Sequence, residues 1–333
     1  MNCFLPPHIL SRLERENKVK FAPDPIAERL RHRRALSLLR APSMLRSQAE
    51  RLVYDSQHSE NQRLVLLRKE DDQPVNDTDA NSVYDLAGTV RSFFMDQLHW
   101  NSLDNRGMNL ISNVHLGVDY NNAFWDGDEM SYGDGDGRWF TGFARAIDVT
   151  AHEMAHGVIQ FTAGLLYDGQ PGALNEHFAD VFGCVIRQFH LKLDGSGNSW
   201  LVGQDIMGPE LKGRAIRSMK DPGDKITLDP QPSHMNDYYN GIDDNHGVHI
   251  NSGIPNKVFY LVATHAGSLP AARLWFDALK RLRPRSKFSD LFDAVLACIP
   301  ALEEVNVLPE HTSEAAKDAF SSTGIVMTHA FAS

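Results

Sequence analysis

Two histidines four residues apart, with a glutamate beside the first, constrain this chain more than any other feature: His152-Glu153-Met154-Ala155-His156. At 3.6 residues per turn the two imidazoles reach one point only if the segment is helical, so the motif dictates an α-helix there. Glu153 then stands next to the first imidazole, placed to address water without binding a metal itself. Taken alone, the pattern also fits an ordinary helix with two surface histidines. A second cluster, Asn175-Glu176-His177-Phe178-Ala179-Asp180, shifts the balance. The interval leaves room for the first helix to end near Gly157–Gly164, a loop to turn, and a second helix to return a carboxylate.

Two histidines and one glutamate with an open position form the catalytic kind of zinc shell, whereas structural sites are closed and rich in cysteine. Asp180, one turn beyond Glu176, is placed to accept the free ring N–H of a ligand histidine, and Asn175 to do the same for the other. The three cysteines, Cys3, Cys184 and Cys298, are too few and too scattered for a disulfide framework. Cys184 and Cys298 lie in apolar stretches and read as small buried side chains.

With 42% hydrophobic and 23% charged residues over 333 positions, the chain has material for one or two cores and reads as soluble and globular. Residues 1–46 hold ten Lys/Arg against four Asp/Glu, and the rest holds 23 against 39. A basic leader on an acidic body suggests mutual attraction, and the acidic body argues against a nucleic-acid partner. Pro6 and Pro7 interrupt the N-terminus, which has no apolar h-region for a Sec signal. No apolar run approaches the ~20 residues of a membrane span. The expectation is a monomer without a membrane partner, cytoplasmic or secreted by a route without a Sec signal.

Along the chain, an Arg-rich amphipathic stretch over 29–39 and a boundary at Ala41-Pro42-Ser43 close the leader. Arg51–Asp55, Arg63–Arg68 and Val114–Tyr120 are predicted strands, and Val83–Leu98 is a predicted helix. Tyr132-Gly133-Asp134-Gly135-Asp136-Gly137 reads as a turn whose carboxylates lack the spacing and terminal Glu of an EF-hand loop. Beyond Asp148 the periodicity is helical: Val149–Ala163, Leu174–Leu191, Ser252–Ala266 and Ala271–Leu282.

From about Arg51 to the C-terminus the sequence resembles the thermolysin-like family of neutral metalloproteases, in which thermolysin itself exemplifies the His, His, Glu zinc shell. The two metal clusters carry the resemblance together with four segments in the same order. These are Asp119-Tyr120-Asn121-Asn122-Ala123-Phe124-Trp125, Gly164-Leu165-Leu166-Tyr167, Ile216-Arg217-Ser218-Met219 and Asp244-Asn245-His246-Gly247-Val248-His249-Ile250-Asn251-Ser252-Gly253. The resemblance implies an α+β fold: a mixed β-rich N-terminal catalytic domain joined by the zinc-binding helix to a mainly α-helical C-terminal domain. The expected division is 1–46 short propeptide, 47–163 N-terminal domain and 164–333 helical domain.

It further implies a zinc endopeptidase acting on proteins or peptides, with zinc held by His152, His156 and Glu176 and with Glu153 as general base. Asn122 and the Ala123 carbonyl would bind substrate backbone by strand addition. Tyr167 and His249 would donate to the oxyanion, Asp244 would orient His249, and Arg217 would hold a substrate carbonyl and brace Glu176. Phe140, Phe143, Val149 and Ile216 would line an apolar pocket for the residue after the cut.

Two departures matter. Of the family's double calcium site Asp148 is present, but the matching positions are Arg187, Ser199, Leu201 and Gln204, so the anions are missing and Arg187 is expected to pair with Asp148. The leader, with Pro6-Pro7-His8-Ile9-Leu10, is similar to the short propeptides of the protealysin-like branch. It is read as an intramolecular inhibitor removed by self-cleavage, and Cys3 as a candidate thiolate cap on the zinc. A silent zinc module would need neither a base nor oxyanion donors. An aminopeptidase would want an acidic anchor for a free amine where this chain has Asn121-Asn122-Ala123.

Overall fold

The computed structural model describes residues 2–21, 49–193, 195 and 197–327. The stretch over 29–39, the boundary at 41–43 and the expected end of the leader fall outside these. The chain divides into two units, one of Met1–Phe161 and Gly203–Arg214, the other of Thr162–Val202 and Ala215–Ser333.

In the first unit six strands make one sheet in the order β1-β5-β6-β4-β2-β3: β1 (Asn2–Cys3), β2 (Arg51–Asp55), β3 (Val65–Lys69), β4 (Leu110–Val114), β5 (Ala123–Trp125) and β6 (Met130–Tyr132). β4 runs parallel to both β2 and β6, while β2/β3, β5/β6 and β1/β5 are antiparallel. A parallel β2/β4 pair requires a crossover, and helix α2 (Thr78–Leu98) lies within it. α2 starts where the Asp77 carboxylate accepts the Ala80 N–H at 2.9 Å and ends at His99 in the left-handed region, φ 53°. The predicted helix thus begins five residues early, because capping chemistry and not apolar spacing sets its start.

The strand expected at Val114–Tyr120 instead ends at Val114. His115, Gly117 and Asp119 all have positive φ, which breaks the pleat into a turn despite the alternating pattern. Helix α3 (Ile147–Phe161) buries 13 of its 15 residues, so it runs through a core and not along a surface. The leader belongs to this unit: α1 (Pro7–Asn17) starts with Pro7 at its first position and packs Ile9 and Leu13 inward.

The second unit is mainly helical: α4 (Gly169–Leu191), α5 (Gly253–Ala266), α6 (Ser268–Leu279), α7 (Phe288–Glu304) and α8 (Thr312–Ser322), with a two-stranded ladder of β7 (Leu201–Val202) and β8 (Arg217–Ser218). Trp275 and Phe259 meet edge to face at 5.1 Å, and Phe292 stacks on Phe320 at 4.2 Å. Among the described residues no helix is long and apolar enough to cross a membrane.

Candidate active site

α3 carries His152, Glu153 and His156, all fully buried. The i, i+4 spacing brings the two Nε2 atoms to 3.0 Å, with the rings edge to face at 4.7 Å. Two nitrogen ligands of a tetrahedral zinc ion, each at ~2.05 Å, stand about 3.3 Å apart. The pair therefore fits a zinc ion with a shift of a few tenths of an ångström. Glu153 lies close enough to Tyr132 to matter: burial, with the Glu153 charge adding, pushes the Tyr132 hydroxyl pKa up.

The edge strand beside this helix is already occupied. β1 pairs antiparallel with β5, Cys3 opposite Phe124, and the Phe4 N–H continues the ladder to the Ala123 carbonyl at 3.0 Å. Asn122 grips the next residue twice: its Oδ1 accepts the Leu5 N–H at 2.9 Å and its Nδ2 donates to the Leu5 carbonyl at 3.0 Å. The Ala123 N–H also donates to that Oδ1, which fixes which way the amide faces. Phe4 lays its ring edge to face against His152 at 5.1 Å. Cys3 sits in an apolar cluster with Leu116, Tyr120 and Phe124, its Sγ 3.6 Å from the Leu5 carbonyl.

In the second unit, α4 carries Glu176 and Asp180, one turn apart and buried. The Tyr167 hydroxyl donates to Glu176 Oε1 and stands 3.0 Å from His249 Nε2, which is 3.5 Å from the same carboxylate oxygen. Asp244–Gly247 run through four consecutive left-handed conformations. That curl turns the Asp244 carboxylate back onto the residues that follow, where it accepts from the backbone N–H groups of His249 and Ile250 and meets His249 Nδ1 at 2.6 Å. Asn175 donates to the Leu165 carbonyl at 3.2 Å.

Arg217 on β8 forms a two-pronged pair with Asp180, Nε to Oδ2 at 3.0 Å and Nη2 to Oδ1 at 2.8 Å, both side chains buried. Burial alone would lower the Arg217 pKa, but Asp180 overrides it and raises it. Sequence reasoning missed what backs this pair. Asn256 donates to Asp180 at 2.9 Å, its Oδ1 meets His177 Nδ1 at 2.7 Å, and Trp275 donates to His177 Nε2 at 2.7 Å. Burial drives the His177 pKa down to about 4, consistent with a neutral ring that donates from Nδ1 and accepts at Nε2. These residues come from three distant segments, and no spacing in the sequence links them.

Of the remaining expected residues, Phe140, Phe143 and Val149 are fully buried in the first unit and Ile216 in the second. Asp148 is fully buried, accepting from the Gly203 N–H at 2.8 Å and the Val149 N–H at 3.0 Å. Arg187 is buried on α4.

Comparison with known proteins decides the family. Residues 43–160 match the model of the thermolysin metallopeptidase catalytic domain, and 163–325 that of the thermolysin metallopeptidase alpha-helical domain. The chain belongs to the thermolysin metallopeptidase family. This metallopeptidase is 42% identical over 240 residues to an extracellular metalloprotease of Pectobacterium carotovorum subsp. carotovorum, covering 70% of this chain and 69% of that protein. It is 42% identical over 239 residues to protease PrtS of Photorhabdus sp. (strain Az29), covering 69% of this chain and 64% of the relative. Among solved structures, the precursor of protealysin, a metalloproteinase from Serratia proteamaculans, superposes with a TM-score of 0.82 at 35% identity, over 98% of this chain and all of that one. The mixed sheet followed by a helical second unit is this family's fold, and the family is zinc-dependent.

Proposed function

We propose that the metallopeptidase hydrolyses internal peptide bonds with a zinc ion held by His152, His156 and Glu176, each of them buried. Bound zinc supplies Lewis acidity towards water and a carbonyl oxygen. Glu153 takes a proton from the attacking water and passes it to the leaving nitrogen. Tyr167 and His249 face the developing oxyanion, and the Asp244 carboxylate anchors His249 by accepting from its Nδ1, which aims Nε2 at that position. Arg217, held by Asp180, fixes a substrate carbonyl. The fully buried Phe140, Phe143, Val149 and Ile216 favour a hydrophobic side chain after the cut.

The observation that carries this reading is the hold of Asn122 on Leu5. Both polar groups of a residue with peptide on either side are engaged, beside an extended pairing to β5. That is how an edge strand grips the interior of a peptide, as an endopeptidase must and an aminopeptidase need not. The same contact supports residues 1 to about 46 as a propeptide that fills the substrate groove of its own chain. Its length and its removal by self-cleavage belong to the same proposal.

Mass spectrometry of the purified full-length chain over time, beside the Glu153→Ala protein, tests this. Zinc-loaded parent should lose its leader and then digest casein, while a free-amine dipeptide reporter stays intact. A leader lost equally fast from the Glu153→Ala protein would overturn self-processing, and dipeptide cleavage without casein digestion would overturn the endopeptidase reading.

A further inference from the structure

We infer that His58, His115 and Asp134 form a second metal site, separate from the α3 histidines, for a single divalent transition ion of the zinc class. Donor atoms of the three side chains lie within 4.8 Å of one another. His115 Nδ1 stands 2.9 and 3.0 Å from the two oxygens of Asp134, and His58 Nδ1 is 3.3 Å from one of them. Ligands of a tetrahedral zinc ion are about 3.3 Å apart, so an ion enters with an expansion of a few tenths of an ångström. Two imidazole nitrogens and one carboxylate suit zinc, nickel or cobalt, whereas calcium takes oxygen ligands alone.

The outer shell is also present. Asp77 Oδ2 lies 2.9 Å from His115 Nε2, so an N–H there is held by a carboxylate while Nδ1 faces Asp134 and His58. A carboxylate behind a ligating imidazole fixes its tautomer and raises its basicity. Asp77 is itself anchored, since its other oxygen caps α2 at Ala80. The backbone sets the two histidines side by side: the His58 N–H donates to the His115 carbonyl at 2.9 Å, and both residues adopt the left-handed conformation at φ 54°. Holding two non-glycine residues in that region has a steric cost that the surroundings must offset.

Side-chain exposures of 60% for His58, 19% for His115 and 31% for Asp134 leave an entry path and room for water at the open position. The turn carrying Asp134 is tied to the substrate-binding segment, for the Gly133 N–H donates to the Asn122 carbonyl and the Gly135 N–H to the Tyr120 carbonyl. An ion here therefore braces the strand that grips Leu5.

The test is zinc content after equilibrium dialysis of the full-length chain at pH 8, against micromolar free zinc, with the His58→Gln protein alongside. His58 is the most exposed of the three, and removing it leaves the His115 contacts to Asp77 and Asp134 in place. The parent should hold two ions per chain, and the His58→Gln protein one, with affinity for the second weakened at least tenfold. Asp134→Asn should weaken it as well. One ion in both parent and His58→Gln, or two in both, would overturn the assignment.

Discussion

At the residue scale, the side chains expected to act on substrate are held by partners that leave them little freedom. His249 has its ring tied to Asp244 and its backbone N–H to the same carboxylate. Its removal should cost one oxyanion donor, a fall in kcat of ~10²–10³ with zinc retained. Steady-state kinetics on an internally quenched peptide check this, and a variant within threefold of the parent would remove His249 from the oxyanion site. Arg217 and Asp180 behave differently because they are buried together. Arg217→Met leaves the carboxylate without its cation and should destabilise by about 3–5 kcal/mol, while Arg217→Met with Asp180→Leu should recover part of that without recovering activity. Urea unfolding of the two variants separates a structural from a functional requirement.

Arg217 and His249 are marked in the sequence only by their order among the family motifs. His177, Asn256 and Trp275 carried no mark at all, because their link exists only after three segments fold together.

At the element scale, the β2–β3–α2 corner depends on one carboxylate. Glu70 accepts from the Arg51 backbone N–H and guanidinium at 2.7–2.8 Å and from Arg91 at 3.2 Å. Burial pushes its pKa up, but these bonds prevail and lower it from 4.5 to about 2. A folded pKa below the unfolded one means stability present above pH 4.5 and lost as the pH falls towards 2. Urea midpoints from pH 6 to 2 should therefore fall less steeply for Glu70→Gln than for the parent, and parallel curves would contradict this.

The Gly133 turn is as exacting. A Cβ there would lie 2.0 Å from the Tyr120 carbonyl oxygen, a backbone atom that cannot swing away. Gly133→Ala should cost about 1–3 kcal/mol, a drop in Tm of roughly 3–10 °C, and should weaken substrate binding along the adjoining Asn122 strand. Helices with plain apolar periodicity, such as α2 and α4, were legible in the sequence. The turn at His115–Asp119 was not, since alternation predicts a pleat and cannot reveal left-handed backbone. α7 was hidden too, because Pro300 inside it reads as a helix breaker.

At the scale of the whole molecule, the chain is a metallopeptidase whose leader lies along β5. The family resemblance expects calcium-binding carboxylates where the sequence has Arg187, Ser199, Leu201 and Gln204, and Asp148 accepts from the Gly203 and Val149 backbone N–H groups. Tm should therefore be unchanged by a calcium-selective chelator, whereas a zinc chelator should abolish activity. A calcium-dependent rise in Tm would contradict the first expectation.

Under the proposed function, His152 and His156 hold the metal and Glu153 between them moves the proton. Hydrolysis of an internally quenched peptide by matured parent and by Glu153→Gln, with zinc measured in both, tests it most directly. Cleavage before a hydrophobic residue is expected from the parent, and a rate at least ~10³-fold lower from the variant with one zinc ion still bound at the α3 site. Comparable rates at equal zinc content would contradict it.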